Sequence, residues 1–297
     1  MSVLTKARNR IRSVPRLVRA PSQPADGRKV LTQRQLDSWN RHGYLVLPRF
    51  FGRQDIKGLT SEVDDLWAQR RQDDRGLVID VRIDTPEERR VRFKDAGDSD
   101  RDLPYKLNDV FLVSSPVRET VLDPQLVNVL DDLLEGAPMV CNSLTFERGS
   151  QQRFHFDTFY MPPLVPNKML ATWIALEDAS DKAGPLRYYP GSHTIPPYFF
   201  SHGGLNAIGA EFPDFDRYIE PELASRRMKW TTFPARAGDV FIWHAQLYHG
   251  GAPIKDMSRT RKSLVTHYFR AQDTPAECVE DIGGGRYYLR REHQSTQ

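Results

Sequence analysis

The chain changes character at Met139, and that change restricts its fold more than any other feature. From there the apolar residues gather in short β-branched or aromatic runs cut by Gly, Pro and Asp: Met139–Phe146, Arg153–Tyr160, Met169–Leu176, Leu186–Tyr189, Met228–Phe233, Val240–Trp243 and Ser263–Phe269. Runs this short, with no helical pattern between them, predict a β-sandwich or barrel and not alternating βαβ units. The interval 194–227 breaks the series with Pro196, Pro197, Gly203, Gly204 and scattered aromatics, and its length predicts a lid insertion.

Before Met139 the pattern is helical, from about residue 31 to 136. Thr32 followed three residues later by Gln35 makes a capping box, and Gly43 stops that helix. Tyr44 to Leu47 reads as a short buried strand. Ile56, Leu59, Val63, Leu66 and Trp67 share one face of a second helix over 53–71, and Val117 to Leu133 keep helical intervals across 116–135. Between these helices, residues 72–102 are polar and predict loop apart from a strand at Leu77 to Val81.

Charge separates the N-terminus from the rest. Residues 1–29 hold eight basic residues and one acid, whereas the remainder has 34 basic against 38 acidic residues. The basic balance therefore belongs to a tail broken by Pro15, Pro21 and Pro24, and it gives no reason to expect nucleic acid as a partner. A solvated, flexible tail is the plainer reading. A basic segment making weak contact with an anionic membrane surface, or an organellar presequence, is the sharper one. Residues 30–297 are expected to form a single domain. No apolar run is long enough to span a bilayer, and two distant cysteines, Cys141 and Cys278, predict neither a disulfide framework nor a cysteine-bound zinc. A cytoplasmic chain is the expectation.

Chemistry concentrates at Phe154-His155-Phe156-Asp157 and at His249-Gly250-Gly251. On a strand, His155 and Asp157 project from one face while Phe156 points away. A second imidazole from a distant strand would complete two histidines and one carboxylate on one side of a metal, the arrangement that suits non-haem Fe(II). His249 is the candidate, with His244, five residues earlier, as competitor. A lone His-x-Asp is weak evidence among eight histidines, and the bland reading of any one of them is a satisfied structural residue. His193 in Pro190-Gly191-Ser192-His193 is read that way, and His202, His267 and His293 as ordinary surface or core residues.

In its ordered motifs the chain resembles the phytanoyl-CoA dioxygenase family of Fe(II)/2-oxoglutarate oxygenases. The resemblance rests on Leu31-Thr32 through Pro48, His155-x-Asp157, Ala183-Gly184-Pro185-Leu186, Gly238-Asp239-Val240, His249-Gly250-Gly251 and Arg261-x-Ser263. It implies a mainly β fold, a double-stranded β-helix or cupin-like jelly roll with core at about 139–270, flanked by N-terminal α-helices. It implies Fe(II) held by His155, Asp157 and His249, with O2 and 2-oxoglutarate as cosubstrates. The far carboxylate of 2-oxoglutarate would meet Arg261, with Ser263 adding a donor and Arg259 the runner-up anchor, and Asn142, Trp173 and Lys106 would line the cosubstrate pocket. Because related halogenases lack the carboxylate ligand, Asp157 implies hydroxylation, releasing succinate and CO2.

The small-molecule substrate is expected to be anionic, lipid- or sugar-linked, from Arg153, Lys168 and Arg187 beside the motif strands and Arg226, Arg227 and Lys229 after the lid; solvated strand-edge cations are an equal alternative. Tyr160 is expected to face the pocket. Competing readings are a non-catalytic jelly-roll binding protein and a cupin-like metalloenzyme that does not use 2-oxoglutarate.

Overall fold

The structure is a computed structural model describing residues 28–296; the tail expected over 1–29 lies almost wholly outside them. Helix α1 (Gln33–His42) starts on the Thr32–Gln35 capping box and ends at Gly43, whose φ of 73° favours glycine. Strand β1 (Tyr44–Leu47) and helix α2 (Arg53–Gln69) follow, α2 burying Ile56, Leu59, Val63, Leu66 and Trp67 as its spacing predicts. The polar region is more structured than its composition suggests, with β2 (Val78–Val81), β3 (Arg89–Arg92) and, just after it, β4 (Tyr105–Asn108). Arg90 on β3 grips buried Asp80 on β2 at 2.5 and 2.9 Å, so these strands are joined by charge pairing as well as by their ladder.

The helix expected over 116–135 is two helices, α3 (Ser115–Val121) and α4 (Pro124–Leu134). Asp123 caps the second through the N–H groups of Gln125 and Leu126, and Pro124, which cannot continue a helix from behind, takes its first turn.

The β portion comprises β5 (Pro138–Phe146), β6 (Met169–Ala175), β7 (Leu186–Tyr188), α5 (Phe212–Ser225), β8 (Thr231–Thr232), β9 (Val240–His244), β10 (His249–Gly251), β11 (Ser263–Arg270), β12 (Val279–Asp281) and β13 (Tyr287–Leu289). The larger sheet runs β1-β9-β6-β11-β5-β4-β2-β3, with β13 pairing in parallel with β5 and β12 pairing with β13; the smaller is β10-β7-β8. The sheets form an open jelly roll and do not close into a barrel.

Strand alternation divides this fold into two apolar layers. Leu170 and Ile174 on β6, Val240 and Ile242 on β9, and Leu264 and Tyr268 on β11 pack toward the helices. Their neighbours Trp173, Phe241, Trp243 and Val265 turn to the opposite side, toward the smaller sheet. A third cluster gathers Phe156, Phe159 and Tyr248 under Phe215, Ile219 and Leu223 of α5. The interval expected as a lid thus contains a packed helix.

Two expected strands are overturned. Met228–Phe233 shrinks to the two residues of β8. Arg153–Tyr160 is a single bridge, His155 opposite His249, followed by a 3-10 turn at Asp157–Phe159. Phe156 and Phe159, three apart, are buried in one cluster, a helical and not a strand period. Among the described residues no helix is long and apolar enough to cross a membrane.

The start of β11 is pinned by Glu147 at the end of β5. Its carboxylate accepts from Arg101 Nε at 2.8 Å and Tyr105 Oη at 3.1 Å and pairs with Lys262 Nζ at 3.2 Å, while its carbonyl accepts the Arg261 N–H. Burial by itself would raise its pKa, but Arg101 and Lys262 outweigh that and hold it below the ordinary 4.5. A lowered folded-state pKa contributes stability above the unfolded value and loses it as pH falls through the folded one. Glu147→Gln should therefore cost about 2 kcal/mol near neutral pH, a buried-pair loss discounted for the partly exposed cations. In urea melts at stepped pH the deficit should narrow below the unfolded-state value.

Candidate metal centre and cosubstrate pocket

The two motif segments meet through their backbones. His155 N–H donates to His249 O at 2.8 Å and His249 N–H donates to His155 O at 3.1 Å, a narrow antiparallel pair. Such closeness depends on the glycines that follow: a Cβ on Gly250 would lie 2.7 Å from Gln152 O and 2.8 Å from Arg153 O, and one on Gly251 2.6 Å from Gln151 N. Asp157 then joins the two imidazoles because the 3-10 turn brings it round, its N–H bonded to Ala245 O at 3.0 Å. Convergence comes from a turn, where the sequence suggested strand alternation.

The potential ligand atoms of His155, Asp157 and His249 all lie within 4.8 Å of one another, and all three residues are buried. His155 Nε2 and His249 Nε2 stand 3.7 and 3.6 Å from Asp157 Oδ1. Nδ1–H of His155 donates to Arg153 O and Nδ1–H of His249 to Leu247 O, each at 2.9 Å. With each Nδ1 held by a carbonyl, Nε2 of both rings is the nitrogen directed inward, as metal binding requires. Burial, helped by neighbouring His249, pushes the His155 pKa from 6.5 down to about 3, against the pull of Asp157. Burial alone would raise the Asp157 carboxyl; the imidazoles of His249 and His267 reverse that and hold it below the usual carboxylate range. Its other oxygen, Oδ2, accepts from Trp243 Nε1 at 2.7 Å, leaving Oδ1 for an ion.

The triplet opens on a cavity of about 620 Å³ whose lining includes Arg261, Trp173, Asn142, Lys106 and Tyr160. Arg261 is 3% exposed, and no carboxylate pairs with it among the described residues. Desolvation lowers its pKa from 12.5 to about 10, and distant Glu177 offsets this only in part. Its guanidinium lies over the Trp173 ring at 5.5 Å. Arg261 Nε, Trp173 Nε1 and Ser263 Oγ are buried without hydrogen-bond partners. A buried cation beside unsatisfied donors is costly unless an anion completes it.

Other expected residues are placed differently. Arg259 is exposed and pairs with Asp256 at 3.1 Å, so Arg261 is the arginine that reaches the cavity. His244 faces away: its Nδ1 accepts from Gln246 N–H at 3.0 Å and its ring contacts Trp39 and His193. His193 is structural, bonded to Asn40 O at 3.1 Å. Asn142 lines the cavity, but its amide is engaged by Asp109 and His267. Lys106 also lines it, 3.6 Å from Asp80 and 3.7 Å from Glu88. Tyr160 stands at the mouth, its ring 5.4 Å from His155.

Arg153 and Arg187 do not line the cavity. Arg153 turns to α5, pairing with Asp216 at 2.6 Å and stacking on Phe212, and Arg187 lies over Phe154 at 4.2 Å. Both aliphatic-stemmed cations found aromatic faces nearer than the pocket. Nor do the other expected rim cations converge, since Lys168 pairs with Glu135 and Arg226 with Glu222. What sequence reasoning missed is Trp243, His267, Asp109, and the C-terminal Arg291 and Gln294. His267 was legible in principle, because alternation from Arg261 through Ser263 and Val265 puts residue 267 on the same face.

A model of the phytanoyl-CoA dioxygenase (PhyH) family matches residues 39–262. No curated protein matches by sequence. Among solved structures, the non-haem α-ketoglutarate-dependent carbocyclase SnoK from nogalamycin biosynthesis aligns with TM-score 0.61 at 17% identity, over 81% of this chain and 85% of that one. The α-ketoglutarate-dependent epimerase SnoN of the same biosynthesis gives 0.60 at 19%, over 87% and 98%. EctD from S. alaskensis with bound Fe gives 0.60 at 18%, over 88% and 84%. These likenesses agree with the jelly-roll fold described above, and the match over most of its length makes this chain a member of the phytanoyl-CoA dioxygenase family.

Proposed function

We propose that the protein is an Fe(II)- and 2-oxoglutarate-dependent dioxygenase that hydroxylates a small organic molecule, with release of succinate and CO2. The carrying observation is the pairing of a buried His-Asp-His triplet with a buried, carboxylate-free arginine on one cavity. SnoN crystallised with Fe3+ and α-ketoglutarate and EctD with 2-oxoglutarate support the same cofactors here.

His155, Asp157 and His249 would hold the ion by one face, two nitrogens and one oxygen, which suits a ferrous ion with open positions. When bound, the ion supplies the activation of O2 that the side chains themselves cannot perform. Arg261 would take the distal carboxylate of 2-oxoglutarate with its fork, with Ser263 Oγ and Trp173 Nε1 as the unsatisfied donors nearby. Trp173, Leu186, Val265 and Phe146 supply apolar wall that keeps water from the reacting end. Of the cavity's other cations, Arg90 and Lys106 are answered by Asp80 and Arg291 by Asp109, so an anionic substrate group would compete with existing pairs. A substrate whose polar groups are neutral fits better than the anionic one expected from sequence.

The test is oxygen-dependent succinate formation with Fe(II) and 2-oxoglutarate, together with a product heavier by one oxygen atom. The carbocyclase and epimerase among the structural neighbours suggest a second outcome, ring closure or inversion without oxygen insertion, which the same mass measurement separates. Arg261→Met should raise the KM for 2-oxoglutarate about a hundredfold, the loss of roughly 3 kcal/mol of charge-assisted bonding, whereas Arg259→Met should leave it unchanged. Trp243→Phe removes the donor on Asp157 Oδ2 and should weaken Mn(II) binding by about tenfold in a calorimetric titration.

A further inference from the structure

The cavity beside the triplet has walls of two origins. Strands β3 to β6 contribute Arg90, Lys106, Asn142 and Trp173, all inside the family match, whereas Arg291, Gln294 and Ser295 come from the non-regular segment after β13, beyond residue 262 where that match ends. A segment with no ladder of its own stays in place only if side chains tie it down. Here the tie is Asp109, fully buried one residue past β4. Its Oδ1 accepts from Asn142 Nδ2 at 3.0 Å and from the Ser143 N–H at 3.2 Å, both on β5. Its Oδ2 is served by the C-terminal segment: Arg291 Nη2 pairs with it at 3.2 Å and Gln294 Nε2 donates to it at 3.4 Å. Arg291 Nη1 also donates to Cys141 O at 3.0 Å, and the His293 ring packs on Gly76, where a Cβ would lie 3.0 Å from its Cδ2. A buried carboxylate stripped of its cation is costly, so the docked position is favoured over a loose one.

Resting on the reading of this cavity as the active site, we propose that residues 290–296 form a strap across its substrate end, and that Gln294 and Ser295 on that strap are specificity-determining residues. The position follows from β5. The Arg261 N–H is tied to Glu147 O, just past the end of β5, and Arg291 to Cys141 O, six positions earlier, or about 20 Å of strand. The strap therefore stands at the opposite end of the cavity from the arginine that would anchor 2-oxoglutarate. A cavity of about 620 Å³ lies in the range that encloses one drug-sized molecule. With 2-oxoglutarate seated against Arg261, the space left admits a small partner only, and its far limit is the strap. What the strap presents to that partner is neutral. Arg291 is answered by Asp109, and Gln294, whose Nε2 is committed to the same carboxylate, has its amide oxygen to offer. A compact molecule carrying a hydroxyl or amide hydrogen fits that end, and a longer one collides with it.

The experiment reads access to the cavity without needing the substrate. Trp173 and Trp243 line the cavity, Trp39 and Trp67 are buried outside it, and Trp230, 53% exposed, is removed as Trp230→Phe. In that full-length background, tryptophan fluorescence is quenched with acrylamide and with the bulkier succinimide. Asp109→Asn/Arg291→Met releases the strap without stranding a buried charge; it should raise the acrylamide quenching constant about threefold and lessen the discrimination against succinimide. Arg291→Lys, which keeps the charge, should stay near the parent. Asp123→Ala, which weakens the α4 cap and not the clamp, should change neither constant. An unchanged constant in the released variant, or an equal rise in Asp123→Ala, would overturn the proposal. Should the released variant lose its cooperative melt, Gln294→Ala/Ser295→Ala decides: trimming the wall with Arg291 in place should give a smaller rise, and no rise would overturn the strap. Binding of 2-oxoglutarate to the Co(II)-loaded wild type is titrated separately. Its absence would overturn the oxygenase reading and with it the substrate role of Gln294 and Ser295, whereas binding with unchanged quenching would overturn the strap alone.

Discussion

Two backbone hydrogen bonds between His155 and His249 carry the site. They join segments ninety-four positions apart in an isolated antiparallel bridge, from which the two imidazole rings stand 4.4 Å apart. The flanking carbonyls of Arg153 and Leu247 then take the Nδ1 protons, so the same few residues fix distance and tautomer together. Glycine at 250 and 251 is the steric condition for all of it. A change there would act on the metal ligands without touching them.

Around this bridge the strands serve two layers. One face of β6, β9 and β11 is plain aliphatic packing against the N-terminal helices. The other presents Trp173, Trp243, Ser263 and His267 to the cavity side, apolar bodies carrying isolated polar atoms. Some of those atoms have partners: Trp243 Nε1 donates to Asp157, a metal-ligand candidate, and His267 Nδ1 meets Asn142. Where they have none, at Arg261, Ser263 and Trp173, the arrangement is incomplete as protein and complete only with an anion. Arg101, Lys262 and Tyr105 on Glu147 hold the start of β11 so that this incomplete end stays in register.

Much of this was legible in the residues. Helix caps at Thr32 and Gly43, the apolar face of α2 and most core strands followed from local spacing, since each depends on neighbours in sequence. The triplet and Arg261 were readable because their residue types and order are narrow. Less legible were features decided by partners far along the chain. The 3-10 turn at Asp157 exists because Phe156 and Phe159 both bury under α5, which no window around residue 157 contains. Arg153 and Arg187 looked like pocket cations until Phe212 and Phe154 supplied closer faces. Asp109, Asn142, His267 and Arg291 form one network spread over most of the chain, and no short pattern marks it.

The order in which these parts leave the ribosome follows from where they lie. The first imidazole and the carboxylate are synthesised well before His249. A nascent chain can build its helical layer early but has only half a nest for the ion until His249 has emerged. A nest for the ion therefore exists only once two distant segments have paired, so holding an ion there would report folding and not the presence of either motif alone.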